Sequence, residues 1–129
     1  MAKRIRKTPS PLERKARKGF RGYPAATIAY YGPDDRRATK VAVGIFLQES
    51  EDPDIMQRRF SEEGDIRQDR PIHYEILRLI QQHHVKSVVM ADRILGCPHE
   101  EGVDYPEGES CPKCPFWAGR DRFTGERIH

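Results

Sequence analysis

Cysteine is scarce in this chain: 129 residues carry three. An odd, small set cannot build the disulfide framework of a small secreted domain, because one thiol is always left over. No apolar run approaches the ~20 residues that a membrane span needs, and the mean hydropathy of −0.81 agrees. An apolar stretch behind the first charged residues is missing too, which speaks against a secretory signal. Thiols kept reduced then suit a cytoplasmic protein with no membrane partner. Neither a phosphate-cradling glycine loop nor a nucleophile elbow occurs, so the commonest enzyme signatures are lacking.

What the chain does have is charge, unevenly spread. Charged residues make up 33% of it, yet the formal net charge is only +3. Residues 1–24 hold nine cations against the single acid Glu13, a balance of about +8; the remainder has fourteen basic and nineteen acidic residues, about −5. The cations are Lys3, Arg4, Arg6, Lys7, Arg14, Lys15, Arg17, Lys18 and Arg21. A stretch so basic and so poor in apolar residues is expected to be a disordered arm. Ser10, Pro11 and Glu13 nevertheless mark a short helix start within it. With Phe20 and Tyr23 beside the cations, the arm suits phosphates and bases, and RNA or DNA is the expected partner. A solubilising tail is the plainer alternative.

All three cysteines fall between positions 97 and 114, on two short arms. Cys97-Pro98-His99 is one, and Cys111-Pro112-Lys113-Cys114 the other. A Cys-x-x-Cys turn brings two sulfurs onto one ion, and an imidazole completes a zinc-like ligand set. The expected metal site is therefore Cys97, His99, Cys111 and Cys114, with Zn as cofactor. Residues 100–110 between the arms contain Gly102, Pro106 and Gly108 and almost nothing apolar, so an outside agent must order them. A structural zinc contributes on the order of 10 kcal/mol to folding, enough to do so. Four protein ligands leave no open position for catalysis.

Other readings of these residues are weaker. A redox dithiol prefers a helix after the Cys-x-x-Cys, and Pro112 and Pro115 oppose one. Glu100 or Asp104 could replace His99 as fourth ligand. The zinc deaminase pattern is approached by His99 and Glu101 followed by Cys111 and Cys114. There, however, Ser110 stands where a proline belongs, and Cys97 has no role.

Between arm and metal site, residues 25–96 read as an α/β core. Ala25–Tyr31 and residues 40–48 are strands joined by the turn at Gly32-Pro33-Asp34-Asp35. The second is apolar on both faces, which places it inside a sheet. Residues 55–61 alternate weakly and suit an edge strand. Asp69-Arg70-Pro71 opens a helix reaching about residue 83, with Ile72, Ile76, Leu79 and Ile80 on one stripe and Leu77 beside it. His83 and His84 fall at its end. Residues 85–91 read as a short buried strand, expected to be parallel to a neighbour and to lead into Cys97.

The expected class is α+β: a small, mostly antiparallel sheet in the order β-β-β-α-β with one main helix. The units are a basic arm over 1–24, a core over 25–96 and a zinc-binding unit over 97–129. That order, over residues 25–91, resembles the first half of the ribonuclease-H-like fold. The resemblance implies metal-binding carboxylates in the first strand, in the helix and at the end of the fourth strand. Glu75 and Asp92 match the last two positions, while Ala25–Tyr31 holds no acid, although Asp65 and Asp69 could substitute. Two-metal hydrolysis needs the whole cluster. The expected function is accordingly non-enzymatic: zinc-containing nucleic-acid binding, RNA favoured, in a ribonucleoprotein assembly. Arg120 and Arg122, interleaved with Trp117 and Phe123, join the basic arm as nucleic-acid contacts, unless Trp117 packs as core. A zinc-stabilised protein–protein adaptor and a metal-dependent nuclease remain the alternatives.

Overall fold

The computed structural model describes residues 10–109 and 111–118. Four strands form one sheet in the order β3-β2-β1-β4: β1 Ala25–Tyr31, β2 Lys40–Phe46, β3 Ile55–Phe60 and β4 Ser87–Ile94. β1 and β2 are antiparallel with Tyr31 opposite Lys40, and β2 and β3 are antiparallel with Lys40 opposite Phe60. β4 returns parallel to β1 after the helix α2, Arg70–Gln82. The expected α+β class and its β-β-β-α-β order are present. No described helix is long and apolar enough to cross a membrane.

α2 begins where local chemistry sets it. Asp69 caps it, its Oδ1 accepting from the Ile72 N–H at 3.1 Å, and Pro71 occupies the first turn, where a missing N–H costs nothing. Ile72, Ile76 and Ile80 then recur every four residues and are buried. Each contributes about 1.5–3 kcal/mol by leaving water. They meet the inward-pointing residues of the sheet: Ala26, Ile28 and Tyr30 of β1, Val41, Val43 and Ile45 of β2, and Val88 and Ile94 of β4. β2, apolar on both faces, lies inside the sheet as its pattern requires, and β3 is an edge.

Two expectations are refined. The fourth strand is longer than residues 85–91 and is an edge, with Val88 and Ile94 buried in the core and Val89, on the other face, half exposed. Its pairing with β1 shifts between Ile28 and Tyr30, Met90 facing Ile28 and Ile94 facing Tyr30. The shift spans an even number of residues, so Ile94 stays on the core side with Val88, three residues before Cys97. The second refinement concerns residues 1–24, of which 1–9 lie outside the described residues. Over Pro11–Arg17 a helix, α1, forms with a reciprocal cap: the Ser10 Oγ accepts from the Glu13 N–H at 3.1 Å and Glu13 Oε1 accepts from the Ser10 N–H at 2.8 Å. Leu12 is fully buried against the body and Ala16, one turn on, packs beside it. A single well-placed leucine ties down what composition alone leaves loose.

Candidate metal centre

The polypeptide reaches the site from the end of β4. The Leu95 N–H donates to the Tyr30 carbonyl and the Gly32 N–H to the Gly96 carbonyl, both at 2.8 Å. These bonds pin the last residues before Cys97 to the end of β1. Gly32 is confined there: a Cβ would overlap the Arg37 carbonyl oxygen. The second arm is a tight turn in which the Cys114 N–H donates to the Cys111 carbonyl at 3.4 Å. The 3-10 turn Pro115–Trp117 follows. Trp117 packs against both the sheet core and the cysteine cluster, and its Nε1 donates to the Gly32 carbonyl at 2.8 Å. The lone tryptophan is thus the rivet between site and sheet, as its solitary status suggested.

Cys97, His99, Cys111 and Cys114 come together so that one ligand atom from each lies within 4.8 Å of the others. His99 faces the sulfurs through Nδ1, at 3.2 Å from Cys97 Sγ, 3.4 Å from Cys111 Sγ and 3.6 Å from Cys114 Sγ. Ligands about 2.0–2.3 Å from one tetrahedral ion stand roughly 3.3–3.8 Å apart, so these separations suit a common centre. The three cysteines are buried, free and not paired as disulfides. Among the described residues, these four form the group of His, Cys, Asp and Glu side chains that could hold a metal ion.

The thiols do not resemble one another. Burial pushes Cys97 up, against a lowering contribution from the His99 N–H donated to its sulfur at 3.2 Å. Burial, then the neighbouring Cys97 and Cys111, pushes Cys114 up further. Burial alone raises Cys111 as well, but backbone N–H groups of Lys113 and Cys114 and the adjoining sulfurs hold it below the ordinary thiol value.

The loop between the arms has its own order. Gly102 and Gly108 adopt left-handed φ of +82° and +88°. Glu100 N–H donates to Asp104 Oδ2 at 2.7 Å and Gly108 N–H to Glu101 Oε2 at 2.6 Å. Tyr105 is buried against the cysteines, whereas Val103 is exposed. Asp104 and Glu101 are thus occupied in the loop's own turns, and neither belongs to the cluster.

Glu100 is occupied differently. The ammonium of Lys40, a buried strand residue, donates to Glu100 Oε2 and to the Pro98 carbonyl, each at 3.0 Å. Arg58 Nε stands 2.7 Å from the same carboxylate oxygen. Lys40, then Arg58, holds the Glu100 carboxyl below its usual range, against burial. The Lys40 ammonium also lies 5.4 Å from the Tyr31 ring centre and 5.6 Å from that of Phe60. Lys40, Arg58 and Glu100 bolt the loop to the sheet; sequence reading offered Glu100 only as an alternative metal ligand and gave Lys40 and Arg58 no such role. A lysine heading an otherwise apolar strand was the available signal.

The remaining sequence candidates are distributed as follows. Arg14, Lys15, Arg17, Lys18 and Arg21 lie on or just after α1; Lys3, Arg4, Arg6, Lys7, Arg120 and Arg122 lie outside the described residues. Glu75 forms an ion pair with Arg59 at 2.7 Å, Asp65 one with Arg67 at 2.6 Å, and Asp69 caps α2. These acids serve the fold and are not gathered with one another. His83 is the C-cap of α2, and His84 has φ of +52° in the turn beyond.

Fold and site together define a small α+β protein with a three-cysteine, one-histidine group able to hold a metal ion. No protein-family model, no curated protein and no solved structure matches the chain.

Proposed function

We propose that the chain is a non-enzymatic zinc protein that binds nucleic acid, single-stranded RNA in preference to DNA, within a cytoplasmic ribonucleoprotein assembly. Three thiolates and one imidazole suit zinc above harder divalent ions, and with all four positions supplied by protein the ion is structural. It holds the loop on the sheet and leaves no position for substrate.

The observation that carries the binding reading is the docking of α1. Leu12 faces inward, so Arg14, Arg17, Lys18 and Arg21 stand at the surface on a fixed element, with exposed Phe20 between them. Phe20 meets Tyr23 edge to face at 5.2 Å. Cations presented together beside an exposed ring neutralise phosphates and stack on a base. Since Leu12 is part of the core, truncating the arm would injure the fold, and charge removal is the cleaner test. A variant with Arg14, Arg17, Lys18 and Arg21 all changed to glutamine should bind oligouridylate more weakly. Its plot of log affinity against log salt should be shallower by roughly 0.7 per lost phosphate contact. Unchanged affinity and slope across a salt series would refute the reading.

A further inference from the structure

Both helices cover one face of the sheet. The alternate residues form the other face, and the strand register lays them out in rows. Thr27, Gly44 and Met56 make one row, Ala29, Ala42 and Arg58 the next, and Tyr31, Lys40 and Phe60 the last. Small side chains make the floor and the long residues of β3 a wall. At the Tyr31 end the metal loop rises as a second wall. The result is a cleft of about 290 Å³ with Tyr31, Ala42, Met56, Arg58, His99 and Glu101 in its lining.

Its charges decide what fits. Lys40 and Arg58 share the Glu100 carboxylate, and Glu101 supplies the second negative charge, so the lining offers no unbalanced positive charge. Neither a phosphate nor a carboxylate gains by entering. What is offered instead is an aromatic ring, a thioether, a methyl floor and the planar guanidinium of Arg58. At the rim Arg58 adds hydrogen-bond donors, and Glu101, whose Oε2 accepts from the Gly108 N–H, adds its other oxygen as an acceptor. A flat, neutral ring with donors and acceptors along its edge matches that set, and the volume is at the small end of ligand pockets, suited to one ring system.

α1 and its cations lie on the opposite, helix-covered face, and the chain after α1 comes round to the start of β1. Ser87, paired with Ala25, accepts from the Arg21 N–H through Oγ at 2.6 Å and donates to the Gly22 carbonyl at 2.7 Å. Arg21 and Phe20 therefore stand where β1 begins and the cleft lies where it ends, about 20 Å apart by strand rise. That interval is the span of a few nucleotides of extended single strand. The geometry points to the cleft as the seat of one unpaired nucleobase of a single-stranded nucleic acid whose backbone runs along β1 toward Arg21. This rests on the nucleic-acid reading above and assigns it a base-holding site.

The test is fluorescence anisotropy with labelled oligouridylate and oligoadenylate single strands and a duplex of equal length, on the zinc-loaded full chain. Ala42→Leu fills the floor of the cleft beside Arg58 without adding or removing a charge. It should weaken single-strand binding about tenfold, the loss of one stacked base, with the salt slope and the duplex affinity unchanged. Met56→Ala, cutting back a partly exposed side chain at the edge strand, should act in the same direction about threefold and guards against misfolding of the first variant. Single-strand affinity equal to wild type in both folded variants overturns the cleft and leaves the arm reading standing. Equal losses on single strand and duplex overturn it too. Failure of the wild type to bind any of the three probes overturns both readings.

Discussion

Tyr30 ends in the core with a buried hydroxyl that finds no hydrogen-bond partner among the described residues. A stranded polar group of this kind is a standing penalty on the fold. Tyr30→Phe should therefore raise stability at neutral pH by about 1 kcal/mol in urea unfolding. The same residue has a pH signature. Burial first, and then Glu13, pushes the phenol up to about 12. The unfolded chain ionises this group near its ordinary value of 10.0, so the unfolded state gains as pH rises from 10 toward 12. Wild type should lose stability over that window beyond what Tyr30→Phe loses, and parallel curves for the two proteins would remove the buried phenol as the cause. Lys40 teaches a related lesson. In the sequence it is one more surface cation at a strand start; in the structure it is 4% exposed and tied to the metal loop. Burial of a charge depends on partners sixty residues away, which no local pattern reveals.

Among the elements, the strands and α2 were readable because their signals are local: alternation at period two, an Asp-x-Pro start, isoleucines every four residues. α1 was half readable. Its cap follows from Ser10, Pro11 and Glu13, but its docking depends on where Leu12 lands, and one leucine amid cations carries no period. Leu12→Ala should destabilise the protein by roughly 2–5 kcal/mol, as for other large-to-small core changes. It should also open residues 10–24 to limited proteolysis before the sheet. Destabilisation below about 0.5 kcal/mol, the range of ordinary surface changes, would show that α1 contributes nothing to the body. β4 illustrates the opposite shortfall. Its apolar run reads as a short buried strand, yet its place at the edge leaves Val89 exposed, because strand order is a property of the sheet and not of the strand.

At the scale of the whole molecule, two kinds of order meet at Trp117. The sheet and helices are held by apolar burial. The loop carrying the cysteines has Tyr105 and Trp117 as its apolar share, together with the Lys40–Glu100–Arg58 connection. Stripping the metal with a chelator under reducing conditions, or introducing Cys111→Ser, should therefore uncouple the two. Hydrogen exchange should accelerate over residues 97–118 while amides of β1 and β2 stay protected. Wild type should carry one zinc per chain by elemental analysis, and Cys111→Ser much less. Equal protection of the loop with and without metal would show that packing alone orders it.

The sequence by itself determined the strands and α2, and it pointed to the four side chains that the structure gathers into a group able to hold a metal ion, because cap chemistry, side-chain periodicity and ligand spacing are short-range facts. It also set the charge asymmetry from which polyanion binding is read. Only the tertiary structure decided which faces those elements show. It sank Leu12 into the core, buried Lys40 between Tyr31, Phe60 and Glu100, and left one face of the sheet uncovered by the described helices, beside the loop of the candidate metal site. Those outcomes depend on contacts between residues far apart in the chain, and the free energy that selects them exists only once the sheet has assembled.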